Sequence, residues 1–250
     1  MSLALRTESL SKVWGGFVAN SAIEFQLQRG ARHALIGPNG AGKTTFINLL
    51  SGALKASSGE VYLAEERITA LSQHVRVKRG LTRTFQINSL FGRLTVLEST
   101  LLAVFERSGS AQHWWRAVRG HGVEIAEARA LLAQLRLEDV ATEYTASLPY
   151  GKQRLLEIVL ALATQPKILL LDEPAAGIPR AESRELFEVL AGLPKDVTIL
   201  LIEHDMDLVF KFAQRITVLV GGRVLVEGTP EEIAGDARVR EVYLGEGEDG

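Results

Sequence analysis

The order of apolar and polar positions along the chain changes character twice. Near the start, "ALRTESL" and "SAIEFQLQRG" are partly alternating and extended, which predicts strands. "ARHALIG" is a compact apolar strand running into a glycine-rich loop, and "GEVYLAEERIT" predicts another strand with Glu65 and Glu66 at a turn. From about Phe91 to Thr164 the spacing becomes helical. "TVLESTLLAVF" opens on Thr95 with Glu98 three residues later, a capping box ahead of apolar positions. "EIAEARALLAQLRL" places Ile125, Ala128, Leu132 and Leu135 at helical intervals. After Thr164, strand and helix alternate. "KILLLDEP" is a buried strand ending in acids, "AESRELFEVLAGL" an amphipathic helix, and "DVTILLIEHD" a second buried strand ending in charge. "ITVLVGGRVLVEG" is a hairpin through Gly221 and Gly222. "TPEEIAG" has Thr229 as N-cap, Pro230 at the first helical position and Glu232 closing the box. The pattern predicts an α/β core with an extra antiparallel β-sheet and an inserted helical lobe.

Composition narrows this picture. A chain of 250 residues permits one large α/β domain or one domain with a substantial insertion. Hydrophobic content of 46% supplies ample core. A net charge of −2 argues against a nucleic-acid partner, which calls for a basic excess. The lack of cysteine excludes disulfides and thiolate metal sites and points to a reducing cytosol. The opening "MSLALRTESL" lacks the apolar core of a signal peptide, and no apolar run reaches the ~18 residues of a membrane helix. Any service to a membrane would be from its side.

The chemistry concentrates in "GPNGAGKTT", Gly37 to Thr45, which fits G-x-x-x-x-G-K-[ST] between a predicted strand and a predicted helix. Gly37, Gly40 and Gly42, with Asn39 and Ala41 between them, let the backbone turn its N–H groups inward on phosphate oxygens. The helix from Lys43 adds its positive end. Lys43 would neutralise the β and γ phosphates, Thr44 would ligate Mg²⁺, and Thr45 would lie near the α phosphate. Asp172, at the tip of "ILLLDEP", can hold Mg²⁺ through water, and Glu173 is placed to polarise an attacking water. His204, ending "LLIEH", could contact the γ phosphate; a lone surface histidine in a strand–helix turn is the plain alternative. His33, His74, His113 and His121 form no ligand spacing.

One stretch does not explain itself. "LPYGKQR", Leu148 to Arg154, starts a helix with an aromatic, a glycine and two cations, and contains no nucleophile, metal ligand or acid–base pair. Pro149 suits the first turn of a helix.

The order of phosphate loop, Gln86 in "TRTFQ", this stretch, an acidic strand and a histidine strand resembles the ATPase subunits of ABC transporters over nearly the whole chain. The resemblance implies a P-loop NTPase ABC cassette, residues 1–250 as one domain. Residues 1–86 and 165–250 would form the P-loop core with the β subdomain, and 87–164 the helical lobe. It also implies that "LPYGK" is the signature, usually Leu-Ser-Gly-Gly-Gln, which a head-to-tail partner presents to the other subunit's ATP. Tyr150, Gly151 and Lys152 would thus bind nucleotide in trans, with Pro149 in place of the serine. Lys152 could partly replace the lost hydroxyl contact electrostatically, the alternative being weaker ATP use at the partner's site. Gln86 would contact Mg²⁺ or the attacking water. Trp14, in "KVWGGFVA", would stack on adenine, the alternative being that it packs against the core. Pro179 stands where an aspartate is usual.

These variants, with "DEPAAG", are similar to the subfamily that imports branched-chain and related hydrophobic amino acids. The implied cofactors are ATP and Mg²⁺. The implied partners are membrane permease subunits, touched through Leu90 and Phe91, a second ATPase subunit in a homo- or heterodimer, and indirectly a periplasmic binding protein. The implied place is peripheral, on the cytoplasmic face of the inner membrane. "HWWRAVRG", with Trp114, Trp115, Arg116 and Arg119, could lie against lipid headgroups, although inward packing of the tryptophans is the more ordinary reading. A lipid or polysaccharide exporter would share every catalytic motif, and soluble ABC ATPases of DNA repair or translation form a third class.

Overall fold

The computed structural model describes residues 2–84, 90–109 and 121–245. The chain divides into two compact units. The first takes Met1–Leu81, Lys167–Glu173 and Lys195–Gly250; the second takes Thr82–Pro166 and Pro174–Pro194.

In the first unit, β1 (Leu3–Trp14) and β2 (Phe17–Gln28) form one long antiparallel hairpin, longer than the two short strands read from the pattern. Repeated register shifts along the pair interrupt the alternation, which is why the sequence shows only fragments of each strand. β3 (Arg32–Ile36) leads into α1 (Lys43–Ser51). β4 (Ser58–Leu63) and β5 (Glu66–Arg67) then return to the hairpin, giving a four-stranded sheet of order β2-β1-β4-β5. α2 (Gln73–Lys78), absent from the sequence reading, precedes β6 (Leu81–Arg83).

The second unit holds α3 (Val96–Ser108), α4 (Gly122–Gln134) and α5 (Tyr150–Ala163). The Thr95–Glu98 capping box opens α3 as expected. Val104, Ala128 and Ala163 meet in a small core, with Leu97, Leu101 and Leu131 around it. α6 (Arg180–Ala191) also belongs to this unit, which is therefore wider than the 87–164 stretch of helical texture. α6 packs against α5, a tertiary contact that periodicity cannot report.

The rest of the first unit completes a second sheet. β7 (Ile168–Asp172), β8 (Thr198–Ile202), α7 (Met206–Phe212), β9 (Arg215–Val220), β10 (Arg223–Gly228), α8 (Pro230–Gly235) and α9 (Ala237–Gly245) follow in chain order. The sheet order is β10-β9-β3-β8-β7-β6, with β3, β7, β8 and β9 parallel and β9–β10 antiparallel. β3 is buried at every residue, as a central parallel strand must be. Its Leu35 joins Phe25, Phe46, Leu170 and Leu200 in one core; Ala34 and Ile36 join Val209, Ile216 and Ile233 in another. α1 thus packs into a dry core behind its own N-terminus.

Candidate functional site

Strand register assembles the first part of the site. Ile202 of β8 lies level with Leu35 of β3 on one side and Asp172 of β7 on the other. The chain leaving β3 at Gly37, β7 at Glu173 and β8 towards His204 therefore emerges at one carboxyl end of the sheet, where α/β folds bind ligands.

The phosphate-loop geometry is set by backbone. Gly37 has φ 150°, and a Cβ there would collide with the carbonyl oxygen of Leu219. The Gly222 N–H donates to the Ala41 carbonyl at 3.0 Å, and Ala41 N–H donates to Pro38 at 3.2 Å. On the far side, buried Asn20 donates through Nδ2 to the Gly42 carbonyl at 3.2 Å. α1 then starts from Gly42 with no side-chain cap and no acid in its first turn. Its positive end is left for an external anion. Lys43 is buried, and its Nζ donates to the carbonyls of Gly37 at 2.6 Å and Pro38 at 2.9 Å. The ammonium is thus folded over its own loop. Asn39, Gly40 and Thr44 are exposed, and Thr45 is half-buried.

Asp172 closes β7 half-buried. Glu173 follows with φ 47°, a left-handed conformation costly for a side-chain-bearing residue, while its N–H donates to the Ile202 carbonyl at 2.9 Å. The ladder bond holds this residue in place although its backbone is strained. His204 is an exposed side chain, and its N–H donates to buried Glu203 Oε2 at 3.1 Å. Asp205 accepts from the N–H groups of Asp207 and Leu208 and caps α7.

Trp14 ends β1 at 47% exposure, with Lys12 Nζ 5.3 Å from its ring centroid. It does not pack into the core, so that alternative is removed. Gln86 and the Trp114–Arg119 cluster lie outside the described residues. Leu90 is half-buried and Phe91 is exposed, at 62%; the Phe91 carbonyl accepts from Thr145 Oγ1 at 2.8 Å.

In the second unit, Pro149 is the N-cap of α5, one position before the first turn expected for it. Its extended ψ of 150° is that of an N-cap, but the proline ring carries no acceptor, so α5 has no cap from its own N-cap side chain. Arg154 donates to the Tyr150 hydroxyl at 3.1 Å and to Glu157 Oε2 at 2.9 Å. Glu157 is buried, and desolvation pushes its carboxyl up to about 6 against the pull of Arg154. Lys152 Nζ contacts Asp139 Oδ2 at 2.6 Å, so its charge is shared with a neighbour on the same unit. The Gly151 N–H donates to Glu182 Oε2 of α6 at 3.2 Å. Sequence reading missed Asn20, Glu157 and Glu182. The one signal available for Glu182 was an acid three residues after a helix-starting proline.

No helix among the described residues is long and apolar enough to cross a membrane. The ABC transporter family model matches residues 21–176, and the model described as branched-chain amino acid ATP-binding cassette transporter matches 223–249. The high-affinity branched-chain amino acid transport ATP-binding protein LivG of Salmonella typhimurium is 39% identical, over 97% of this chain and 98% of that one. BraF of Pseudomonas aeruginosa, which carries the same description, is 36% identical over the same shares. Among solved structures, the ADP conformation of MJ1267, an ATP-binding cassette of an ABC transporter, superposes with a TM-score of 0.85 at 31% identity. It covers 98% of this chain and all of its own. The dimeric cassette MJ0796 matches at 0.75 and 23% identity, which speaks to the fold alone. With well over half of its length matched by the family model, and with relatives aligned end to end, the chain belongs to the ABC transporter family, as a cassette ATPase of the branched-chain amino acid branch.

Proposed function

We propose that this chain binds Mg²⁺–ATP and hydrolyses it to drive uptake of branched-chain or related hydrophobic amino acids through membrane permease subunits. The observation that carries the reading is the register bringing Gly37, Asp172–Glu173 and the His204 segment to one end of a sheet, in a chain aligned end to end with transport ATP-binding proteins. The uncapped start of α1 receives phosphate, and Lys43 offsets its charge. Thr44 and Asp172 are hard oxygen donors. They suit Mg²⁺, which takes one or two carboxylates and completes its shell with water and phosphate oxygens. Held by Thr44 and Asp172, the ion would supply positive charge to the phosphate oxygens. Glu173 takes the proton of the attacking water, Gln86 helps to orient that water, and His204 contacts the γ phosphate. The exposed face of Trp14 stacks on adenine.

A second ATPase subunit pairs head to tail, and Tyr150, Gly151 and Lys152 approach the nucleotide held by its partner. A helix start binds an anion through N–H groups and dipole, which explains why the signature carries no reactive side chain. Permease subunits dock at Leu90 and Phe91, a periplasmic binding protein delivers the substrate, and the subunit works peripherally at the cytoplasmic face of the inner membrane.

The test is uptake of labelled leucine in the native organism carrying Lys43→Ala. Loss of uptake with growth otherwise intact is expected. Unchanged uptake, with other leucine importers deleted, would remove leucine as the substrate. Glu173→Gln is expected to keep ATP binding and accumulate an ATP-held dimer; near-normal turnover in that variant would strip Glu173 of its role as base.

A further inference from the structure

Among the described residues, the starts of α3 and α8 share one design, and the start of α6 departs from it. α3 and α8 each open with a threonine N-cap and a glutamate three residues on. Glu98 and Glu232 fold back to accept the N–H of Thr95 and Thr229, each at 2.8 Å. α6 also carries a glutamate three residues after its N-cap, Glu182. Its N-cap is Pro179, which has no N–H to give. The carboxylate is therefore released from its own helix. It reaches the start of α5, whose N-cap is also a proline and whose first turn has no acid of its own. There it accepts the Gly151 N–H. Gly151 is needed for that approach, because a Cβ would collide with Glu182 Oε2.

We propose that Glu182 is an internal stand-in for phosphate. It occupies the N–H group through which the signature helix would receive the partner's nucleotide, and it must leave before the two subunits close. This rests on the head-to-tail reading above and deepens it. The consequence is a built-in brake: α5 is kept capped and charge-matched in the free chain, and ATP has to outcompete a tethered carboxylate. Replacing the serine of the usual signature by Pro149 removes the local hydroxyl cap and leaves Glu182 as the side chain holding this N–H. The contact is half-buried and made by one flexible side chain, so it can be released without moving either helix backbone.

The experiment uses the full chain in a Glu173→Gln background, with and without Glu182→Gln, and follows ATP-driven self-association by sedimentation. Glutamine keeps the length and a neutral acceptor, so the helix start stays capped while the charge is lost. Half-maximal association is expected at roughly tenfold lower ATP in Glu182→Gln, the worth of one charge-assisted hydrogen bond. An equal or higher ATP requirement would overturn the brake and leave the head-to-tail reading standing. If both chains bind ATP and neither associates, the head-to-tail reading fails and the brake fails with it. Hydrogen exchange on the free chain checks the contact separately. The Gly151 amide is expected to exchange severalfold faster in Glu182→Ala, and an unchanged rate would remove the contact on which the inference stands.

Discussion

The starts of α1 and α5 are built in opposite ways. α1 begins from a loop held mostly by backbone, with Asn20 bracing it from the side: Gly222 N–H on Ala41, the Leu219 carbonyl pressed against Gly37, and a dry core behind Phe46. α5 begins from side chains: Glu182 on the Gly151 N–H, Asp139 on Lys152, and Arg154 on Tyr150. A seat held mostly by backbone leaves only Lys43 to swing off its carbonyls when an anion arrives, and it cannot be retuned without rebuilding the strands around it. A side-chain seat can be released one rotamer at a time. The first arrangement suits a nucleotide bound by a single chain, and the second suits a contact that forms and breaks in each cycle.

The sharpest way to break this comparison is to add a methyl group at each start. Gly37→Ala puts a Cβ into the Leu219 carbonyl at a φ that disfavours side chains. Strain and overpacking together should cost about 3 kcal/mol of stability and abolish measurable ATP binding. Gly151→Ala collides with the Glu182 carboxylate, which can swing away, and crowds Glu182 Cβ only slightly, at 3.3 Å, so its cost should stay within about 1 kcal/mol. Denaturant melts and calorimetric titration with ATP read both. Equal penalties at the two sites would show that α5 is as rigidly seated as α1.

Much of this was legible in the sequence, and the reason is locality. The phosphate loop, the capping boxes of α3 and α8 and the Gly221–Gly222 hairpin are each set by residues within a few positions of one another. The buried runs of β3, β7 and β8 declare themselves by composition. What escaped depends on distant partners. Asn20 meets the phosphate loop from 22 residues away, and Glu182 meets Gly151 from 31. His33, left unassigned as a lone histidine, packs on Phe25 and bonds Thr217 Oγ1 across 184 residues. α7 escaped for another reason: at seven residues it is too short to display a period.

A second contrast lies in pH. His33 supports β3, the strand that feeds the phosphate loop. Thr217 Oγ1 donates to Glu227 Oε2, so it receives the His33 Nε2–H. Burial pulls His33 from 6.5 to about 4, with Glu227 opposing and Arg215 assisting. The folded state prefers the uncharged ring. Its contribution is complete above pH 6.5 and falls by about 3 kcal/mol as pH drops to 4. Glu157 in α5 behaves inversely. Its carboxyl is raised from 4.5 to about 6, so the folded state prefers the protonated acid. Its contribution is complete below pH 4.5 and falls by about 2 kcal/mol as pH rises past 6. Amide exchange in β3 and in α5 between pH 4.5 and 6.5 should therefore drift in opposite directions. His33→Gln and Glu157→Gln should each flatten their own slope. Parallel slopes in the two elements would mean that neither group governs its element.

The smallest effect tests whether α5 offers more than a backbone N–H. The Lys152–Asp139 pair is well exposed on the Asp139 side, and the hydrogen bond from Lys152 holds the Asp139 carboxyl below its ordinary value. Exposed pairs of this kind often contribute nothing measurable to stability. Lys152→Ala should therefore leave the melting temperature where it was. Its effect should appear only when the partner's nucleotide arrives, because the ammonium can trade one carboxylate for phosphate at little cost. In the Glu173→Gln background, the ATP needed for half-maximal association should rise by about twofold to fivefold, and the rise should shrink in high salt as screening shortens the reach of the charge. Glu182→Gln moves the same midpoint the other way, so the two variants separate a cation that attracts the nucleotide from an anion that holds its place. A midpoint unmoved by Lys152→Ala would confine the α5 seat to its N–H groups and dipole, and would make the lysine at this signature position a partner for Asp139 alone.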